Sequence, residues 1–346
     1  MKRDYKTLLK KMGMALLAFL LFGLCSGLLY VTKLASAVQE VPEAVIDETA
    51  NTNVAEEAQE KMGGYWTVAI FGVDSRDGNL GAGANADAQI LCTVNRDNGE
   101  VKLVSVYRDT LLMVQPEKGE GGKITSAYAM GGPAMLVKAL NENLDLKIDD
   151  YVSFSWKAAI DTINMLGGVD IEIEKNEFYY INSFITETAE RSGVPSKHLE
   201  SDGMQHLDGV QAVAYCRLRL MDTDFQRTER QRRVMQQVAD KAKKADPGTL
   251  NRILMEVLPQ TATSIGIGDM TSMILEAGKY HIAETAGFPF ESETAKLGRN
   301  GECVVANTLE SNVEELHRIL YDDQSYQASA RVQEIDQELI KQAVGR

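Results

Sequence analysis

The fold is decided by residues 65–107, which read YWTVAIFGVDSRDGNLGAGANADAQILCTVNRDNGEVKLVSVY. Three runs in this stretch are rich in β-branched and aromatic residues: Tyr65–Val73, Gln89–Val94 and Val101–Tyr107. Such runs predict strands, and the turn sequence DNGE at 97–100 joins the second run to the third. We therefore expect these residues to form part of a sheet.

Strand-like and helical segments alternate after this region. Strands are predicted at Tyr151–Phe154 and Val169–Ile173, and the apolar run Val210–Leu220 also has strand character. Helices are predicted at Pro133–Asn143, Lys157–Leu166, 178–192 and Asp224–Lys244. This alternation indicates an α/β or α+β fold, with a main domain over residues 65–245. Residues 246–346 contain further helices and a strand near Cys303–Val305, and they either complete that domain or form a small helical appendage.

The first 64 residues predict a single-span membrane anchor. Residues 1–11 carry five basic residues and one acidic residue, and residues 12–32, MGMALLAFLLFGLCSGLLYVT, carry no charge. A helix of this length extends about 30 Å, which is enough to cross the hydrocarbon core of a bilayer. The basic flank favours a cytoplasmic N-terminus and an extracellular C-terminal part. Residues 33–64 are acidic and lack periodicity, so we expect a stalk, with packed structure beginning near Tyr65.

Two features of the anchor region leave other kinds of processing open. Ala35-Ser36-Ala37 has the A-x-A pattern of a signal peptidase site, although the apolar run is longer than that of an ordinary signal peptide. Cys25 invites a lipoprotein interpretation, but Leu24 is bulky where that signal needs a small residue. An uncleaved anchor is therefore favoured.

Composition excludes several classes of function. The chain has 36 basic and 50 acidic residues among 346, a net charge of −14, which argues against a nucleic-acid partner. Its four histidines have no metal-ligand spacing. The cysteines that follow the anchor are far apart and are expected to be buried free thiols rather than a disulfide framework or a zinc site: Cys92, Cys216 and Cys303.

Two aspartates lie where neighbouring strands meet. Asp74 follows the strand that ends in FGV, and Asp87 precedes the strand QILCTV, so both carboxylates are expected at the same edge of the sheet. A hard cation such as Mg²⁺ binds carboxylates of this kind together with phosphate oxygens. Polar turn residues are the alternative interpretation of both.

Basic residues at the ends of elements form a second candidate set. Arg108 ends a strand, Arg217 and Arg219 are two apart in a strand-like stretch, and Arg227, Arg230 and Gln231 share one face of a helix. Because guanidinium groups bind phosphate oxygens in a bidentate fork, a phosphate or pyrophosphate ligand explains this set. A solvated helical face is the alternative for Arg230, and it is favoured for Arg232 and Arg233.

These residues lie in motifs that resemble the LytR-CpsA-Psr family. Seven motifs occur in the family's order over about 175 residues, from Trp66 to Asp240: IFGVDSRDG, NADAQIL, VKLVSVYRDT, KITSAYAMGGP, LGGVDIEI, LDGVQAVAYCRLR and DFQRTERQRRV. The resemblance implies an external α/β domain with a central mixed sheet flanked by helices. It also implies a phosphotransferase that moves an anionic glycopolymer, such as teichoic acid or capsule, from a polyprenyl-pyrophosphate carrier onto peptidoglycan.

The resemblance assigns roles to individual positions. Asp74 and Asp87 match the metal-associated aspartates, with Mg²⁺ as the cofactor, and together with Arg108 they are the expected catalytic residues. The expected pyrophosphate-binding residues are Lys123, Arg217, Arg219, Arg227 and Gln231. Asn85 stands where the family often has an arginine, which removes one cation, and Thr125 replaces a common asparagine. The apolar stretches 151–166, 178–189 and 210–216 are expected either to line a lipid groove or to form ordinary core.

Two other functions compete with transfer to peptidoglycan. The same site with water as the acceptor would make a polyprenyl-pyrophosphate hydrolase. A binding or regulatory protein would hold lipid-linked precursors without turnover. The identities of the glycopolymer, of the acceptor sugar and of the general base are left open.

Overall fold

The computed structural model describes residues 53–75, 78–219, 224–276 and 278–344, together with Lys33, Ser36 and Gln39–Glu40. The predicted transmembrane helix at 12–32, its basic flank and Cys25 lie outside the described residues. In the described part of the chain, no helix has the length and apolar character needed to span a bilayer.

A seven-stranded mixed sheet forms the centre of the fold. Its spatial order is β1 (Gln39–Glu40), β10 (Thr261–Thr263), β7 (Asp150–Ser155), β2 (Tyr65–Val73), β3 (Ala86–Asn95), β4 (Glu100–Val106) and β11 (His281–Phe288). The pairs β2/β3 and β3/β4 are antiparallel, whereas β2/β7 and β4/β11 are parallel. Three antiparallel strand pairs of the described residues lie outside the sheet: β5 (Leu111–Gln115) with β6 (Glu120–Lys123), β8 (Val169–Ile173) with β9 (Gly203–Leu207), and β12 (Ser292–Leu297) with β13 (Gly301–Ala306). The first and third pairs are hairpins, whereas a helix separates β8 from β9 in the chain.

Helices cover both faces of the sheet, as predicted. Those on one face are α1 (Glu56–Met62), α2 (Thr125–Leu144), α9 (Leu309–Tyr321) and α10 (Ala330–Val344). On the opposite side lie α3 (Trp156–Met165), α4 (Lys175–Ser192), α5 (Gly209–Arg217) and α6 (Asp224–Lys244), with α7 (Pro247–Val257) packed on α3. Helix α8 (Ile267–Leu275) follows strand β10 in the chain. Helix α2 is kinked at Gly131 and Gly132, just before Pro133.

The two sides differ in how their cores are built. The first contains the large hydrophobic cluster around Phe71, Leu140 and Leu316. On the other side, helices α3 to α6 enclose a separate cluster around Ile160 and Tyr215. Helices α3 to α6 therefore form a unit that faces the sheet. The candidate site lies in the space between these helices and the sheet.

Two predictions about the secondary structure were wrong: the conformation of α5 and the residue at which packed structure begins. In the run Val210–Leu220, which was expected to be extended, the residues up to Arg217 are helical, because Asp208 and Gln211 form a capping box that starts α5. Helix α5 is buried on nearly every side, so it lacks the polar face that would reveal helical periodicity. Packed structure also begins before Tyr65, since Val54, Ala58 and Met62 follow each other at helical spacing and join the core.

Residues 246–346 contribute directly to the central sheet. Strand β10 pairs with β7, and β11 pairs with β4 over the length of both strands. Helices α9 and α10 from the same region supply Leu316 and Ile335 to the large hydrophobic cluster. Cys92, Cys216 and Cys303 are free thiols, and Cys92 and Cys303 are buried.

Candidate active site

A cavity of about 690 Å³ lies between the sheet and the helices α3, α5 and α6, within the size range of ligand sites. Most of its wall is apolar, with contributions from Ile90, Val152, Phe154, Ile163, Val213 and Val234. Its charged wall residues are Asp74, Asp87, Arg191, Arg217, Arg219 and Arg227. The cavity therefore combines an apolar interior with a cluster of ionic groups.

Helix α6 shows how these two parts are arranged. Arg227, Gln231, Val234, Val238 and Ala239 all face the cavity at helical spacing. Ala239 lies twelve residues after Arg227, a distance of about 18 Å along the helix axis. One face of α6 thus changes from charged to apolar along the cavity, a polarity gradient that suits a ligand with an anionic head and a long apolar tail.

The two predicted aspartates come together at the end of the β2/β3 pair. Gly72 pairs with Ala88 and Val73 with Ala86, so Asp87 is the extra residue of a β-bulge. A bulge of this kind re-aims its side chain, and bulges are common next to active sites. The backbone N–H of Asp74 donates to the carbonyl of Asn85 at 3.0 Å, which fixes both aspartates beside the cavity.

Arg108 and Lys123 form an ionic group behind Asp87. Arg108 pairs with Asp87 through Nη1 and with Asp109 through Nε at 3.3 Å. Lys123 Nζ lies 3.3 Å from the same Asp109 carboxylate. Burial disfavours the charged form of Arg108, but Asp87 and Asp109 outweigh it and raise its pKa above the usual value. Arg108 therefore keeps its charge although it is mostly covered.

Arg227 and Asp224 form a buried ion pair at the start of α6. Burial lowers the pKa of Arg227 and raises the pKa of Asp224, and each partner opposes this effect in the other. The Asp224 carboxylate also accepts the Asp109 N–H at 3.4 Å, which connects α6 to the Arg108 group.

A third group surrounds Glu187 on α4. Arg217 donates to Glu187 at 3.0 Å and to Thr188 at 2.6 Å, and its guanidinium lies 3.8 Å from the ring centroid of Trp156. Arg191 pairs with Glu187 at 2.6 Å and with Asp74 at 3.1 Å. Burial raises the pKa of Glu187, but Arg217 and Arg191 together bring it below its usual value.

The predicted site residues converge. Six of them line the cavity: Asp74, Asp87, Arg217, Arg219, Arg227 and Gln231. The other two, Arg108 and Lys123, lie beside it through Asp87 and Asp109. Sequence reasoning gave no ionic role to Trp156, Glu187, Arg191 or Asp224, because a lone charged or aromatic residue on a helix carries no signal of such a role. Trp156 and Glu187 do lie in the stretches 151–166 and 178–189 that were expected to line a groove or form core.

The other arginines of α6 have structural surroundings. Arg230 is not on a solvated face, because it is buried and pairs with the buried Glu177 at 2.8 Å. Arg233 is half exposed and pairs with Glu229, as expected for a solvated face. Arg232 also pairs with Glu229 but is mostly covered, partly by Tyr107.

The acidic residues at the cavity are too few to hold a metal ion alone. Among the described residues, no three His, Cys, Asp or Glu side chains are grouped in a metal-binding arrangement. Mg²⁺ is commonly held by one or two carboxylates together with substrate phosphates. The described residues of the cavity wall include two carboxylates, Asp74 and Asp87, the number that such a shared ion would need, and they pair with Arg191 and Arg108 respectively.

Sequence comparison places the chain in a family. The model of the LytR_cpsA_psr family matches residues 28–315. The chain belongs to this family. Among LytR-CpsA-Psr relatives, it is 32% identical over 181 residues to the polyisoprenyl-teichoic acid–peptidoglycan teichoic acid transferase TagT of Bacillus subtilis, covering 51% of this chain and 53% of TagT. It is 27% identical over 273 residues to the corresponding transferase TagU of Bacillus anthracis, covering 78% of each chain.

The share of these relatives that is matched varies. The chain spans about half the length of TagT. It is also 29% identical over 185 residues to a Staphylococcus aureus relative, and that match covers 52% of this chain and 43% of the relative.

Several solved structures share the fold. Protein gbs0355 of Streptococcus agalactiae superposes with a TM-score of 0.61 at 23% identity, covering 80% of this chain and 94% of that one. TagT bound to LIIa-WTA gives a TM-score of 0.54 at 20% identity, with 85% and 95% covered. TagT with bound octaprenyl pyrophosphate lipid gives 0.50 at 20% identity, with 82% and 92% covered. At these identities the likeness confirms the α/β fold with its central mixed sheet.

Proposed function

We propose that this chain is a phosphotransferase that moves an anionic glycopolymer from a polyprenyl-pyrophosphate carrier onto peptidoglycan. The observation that carries the proposal is the polarity gradient of the cavity, from the ionic groups near Arg227 to the apolar wall near Val238. A polyprenyl pyrophosphate has the matching anionic head and apolar tail. TagT and TagU are polyisoprenyl-teichoic acid–peptidoglycan teichoic acid transferases, and TagT has been solved with bound octaprenyl pyrophosphate lipid, which supports the same ligand class.

The pyrophosphate is assigned to the cations that surround the carboxylates. Arg108, Arg217 and Arg227 offer guanidinium forks to phosphate oxygens, and Lys123, Arg219 and Gln231 complete the binding set. Because these cations are already in position before the reaction, they also stabilise the negative charge that develops on the departing polyprenyl phosphate.

The charge balance of the site favours a divalent cation. Among the described residues, the site has six positive side chains and five carboxylates. The positive side chains are Arg108, Lys123, Arg191, Arg217, Arg219 and Arg227, and the carboxylates are Asp74, Asp87, Asp109, Glu187 and Asp224. These charges nearly cancel, so this set of side chains alone offers little net attraction to a pyrophosphate. Asp74 and Asp87 would hold Mg²⁺, which when bound would neutralise phosphate charge.

The proposed reaction is one displacement at phosphorus. A hydroxyl of a peptidoglycan sugar attacks the phosphorus nearer the glycopolymer, and a new P–O bond forms to the acceptor oxygen. The bond from that phosphorus to the bridging oxygen breaks, so polyprenyl phosphate leaves with the electron pair. The hydroxyl proton passes to solvent or to a carboxylate of the site. The product is a phosphodiester between the glycopolymer and peptidoglycan.

The proposed carrier is a membrane lipid, so the site must lie at a membrane. We place the chain in the cell membrane as a single-pass protein, with its N-terminus in the cytoplasm and the described domain outside. The uncharged residues 12–32 support this placement.

A product assay tests the function. The full chain in detergent micelles is incubated with a polyprenyl-pyrophosphate-linked glycan, peptidoglycan oligomers and Mg²⁺, and both lipid and oligomer products are separated. We expect glycan-bearing oligomer and free polyprenyl phosphate, and loss of both in Arg108→Ala and Asp87→Ala. The matched control is Arg318→Ala, which removes a surface arginine of α9 that pairs with Glu315.

Three outcomes separate the candidate functions. Glycan on the oligomer supports transfer. Lipid cleavage without glycan on the oligomer indicates a hydrolase, and intact lipid retained by the protein indicates a binding protein. Wild-type turnover in Arg108→Ala or Asp87→Ala would show that the site is wrongly assigned.

A further inference from the structure

One cation of the cavity comes from a helix that carries none of the predicted site residues. Arg191 lies in the last turn of α4, and its guanidinium reaches across to Asp74 at the end of β2, with 3.1 Å between Nη1 and Oδ2. The same guanidinium pairs through Nη2 with Glu187 at 2.6 Å. Arg191 therefore links α4 to the edge of the sheet where the two aspartates lie.

We propose that Arg191 is a further pyrophosphate-binding residue, which supplies from α4 the positive charge that Asn85 does not supply from the start of β3. This inference rests on the proposed function and assigns a residue to its phosphate site. Asn85 is an exposed, uncharged residue whose carbonyl oxygen accepts the N–H of Asp74. The two residues thus approach Asp74 from different elements, and only Arg191 brings a charge.

The side chains around Arg191 hold its guanidinium in place at the cavity wall. Its side chain is 32% exposed and lines the cavity. Its guanidinium lies 5.8 Å from the Trp156 ring, against which Arg217 also packs, and both arginines pair with Glu187. Trp156 and Glu187 are positioning residues in this arrangement, because they hold two guanidinium groups on the same side of the cavity.

Donors of Arg191 remain available to a ligand. A guanidinium carries five N–H groups, and the ion pairs to Asp74 and Glu187 are made through its two terminal nitrogens. A pair as exposed as Arg191 and Asp74 adds little to folding stability. Its position on the cavity wall beside Asp74 is therefore better explained by ligand binding than by folding stability.

The test measures binding instead of turnover. The full chain in detergent micelles with Mg²⁺ is titrated with geranylgeranyl pyrophosphate and, separately, with geranylgeranyl monophosphate. We expect Arg191→Gln to weaken pyrophosphate binding about tenfold and monophosphate binding much less, since one charge-assisted contact is lost. Arg191→Lys, which keeps the charge but loses the fork, should weaken it less than Arg191→Gln. Arg318→Gln on α9 is the matched surface control and should bind like wild type.

A second variant separates charge from structure. Asn85→Arg combined with Arg191→Gln returns a cation beside Asp74 and should recover most of the pyrophosphate affinity. Equal affinity of wild type and Arg191→Gln for pyrophosphate, or a double variant that binds no better than Arg191→Gln, would overturn the assignment. A wild-type chain that binds neither lipid would instead refute the proposed function itself.

Discussion

The buried ion pair between Arg230 and Glu177 holds together the helices beside the cavity. The side chains are 5% and 4% exposed and meet at 2.8 Å. Arg230 also donates to the carbonyl of Leu218 at 2.9 Å, just after α5, and Glu177 accepts the Glu174 N–H that starts α4. One arginine thus connects α6 to α4 and to the end of α5, where Arg217 lies.

Replacing Arg230 with methionine should destabilise the fold strongly. Glu177 would be left as a buried charge without its partner, and breaking such a pair costs about 3–5 kcal/mol. At about 2 °C per kcal/mol for a domain of this size, the melting temperature should fall by about 6–10 °C. Thermal unfolding of the full chain in detergent, followed by circular dichroism, measures the shift.

Arg233→Met on the same helix is the matched control. Its side chain is 50% exposed and pairs with a Glu229 side chain that is 45% exposed, so the cost should be below about 0.5 kcal/mol. The double variant Arg230→Met with Glu177→Leu should recover part of the loss, because no lone charge remains buried. Equal melting temperatures for Arg230→Met and Arg233→Met would refute the reasoning.

Three further predictions concern pH, packing and the cavity. Burial lowers the pKa of His317 to about 4, so only the unfolded chain takes up this proton as pH falls from 6.5 towards 4. The free energy of unfolding should fall by up to about 3 kcal/mol over that range. Urea unfolding should show a weaker dependence of this free energy on pH for His317→Gln than for wild type, and an equal dependence would contradict the assignment. Gly209→Ala should lower the melting temperature by several degrees, because its Cβ would lie 2.2 Å from the Ile160 carbonyl oxygen. Gly268→Ala is the control, because a Cβ there meets nothing within 4 Å, and equal shifts in melting temperature for the two variants would contradict the prediction. Ala159→Phe should narrow the cavity and weaken binding of a long polyprenyl pyrophosphate more than of a short one, and equal weakening in titrations would argue against a tail in the cavity.

The sheet strands that lie near each other in sequence were predictable. Tyr65–Val73 was predicted with the bounds that β2 has, and Asp224–Lys244 with those of α6, because both carry strong local patterns. The place of β11 beside β4 was not predictable, since the two strands are far apart in the chain and nothing local specifies their pairing. Its sparse apolar pattern reflects its position at the edge of the sheet.

The site was predictable where motifs carried it. Asp74, Asp87 and Arg108 were found from their positions at strand ends, and the structure brings them together. Arg230 shows the limit, because helical spacing gives its direction around α6 but not the buried Glu177 that it meets. Arg191 shows another limit, since only the tertiary fold brings the last turn of α4 within reach of Asp74.

The central claim is that the ionic groups hold a pyrophosphate whose prenyl tail lies in the apolar cavity. A crystal structure of the full chain with a bound polyprenyl pyrophosphate tests this claim most directly. The account predicts phosphate oxygens within hydrogen-bond distance of the guanidinium groups of Arg108, Arg217 and Arg227, with the prenyl chain running along α6 towards Val238. A pyrophosphate bound elsewhere, or a tail lying outside the cavity, would contradict it.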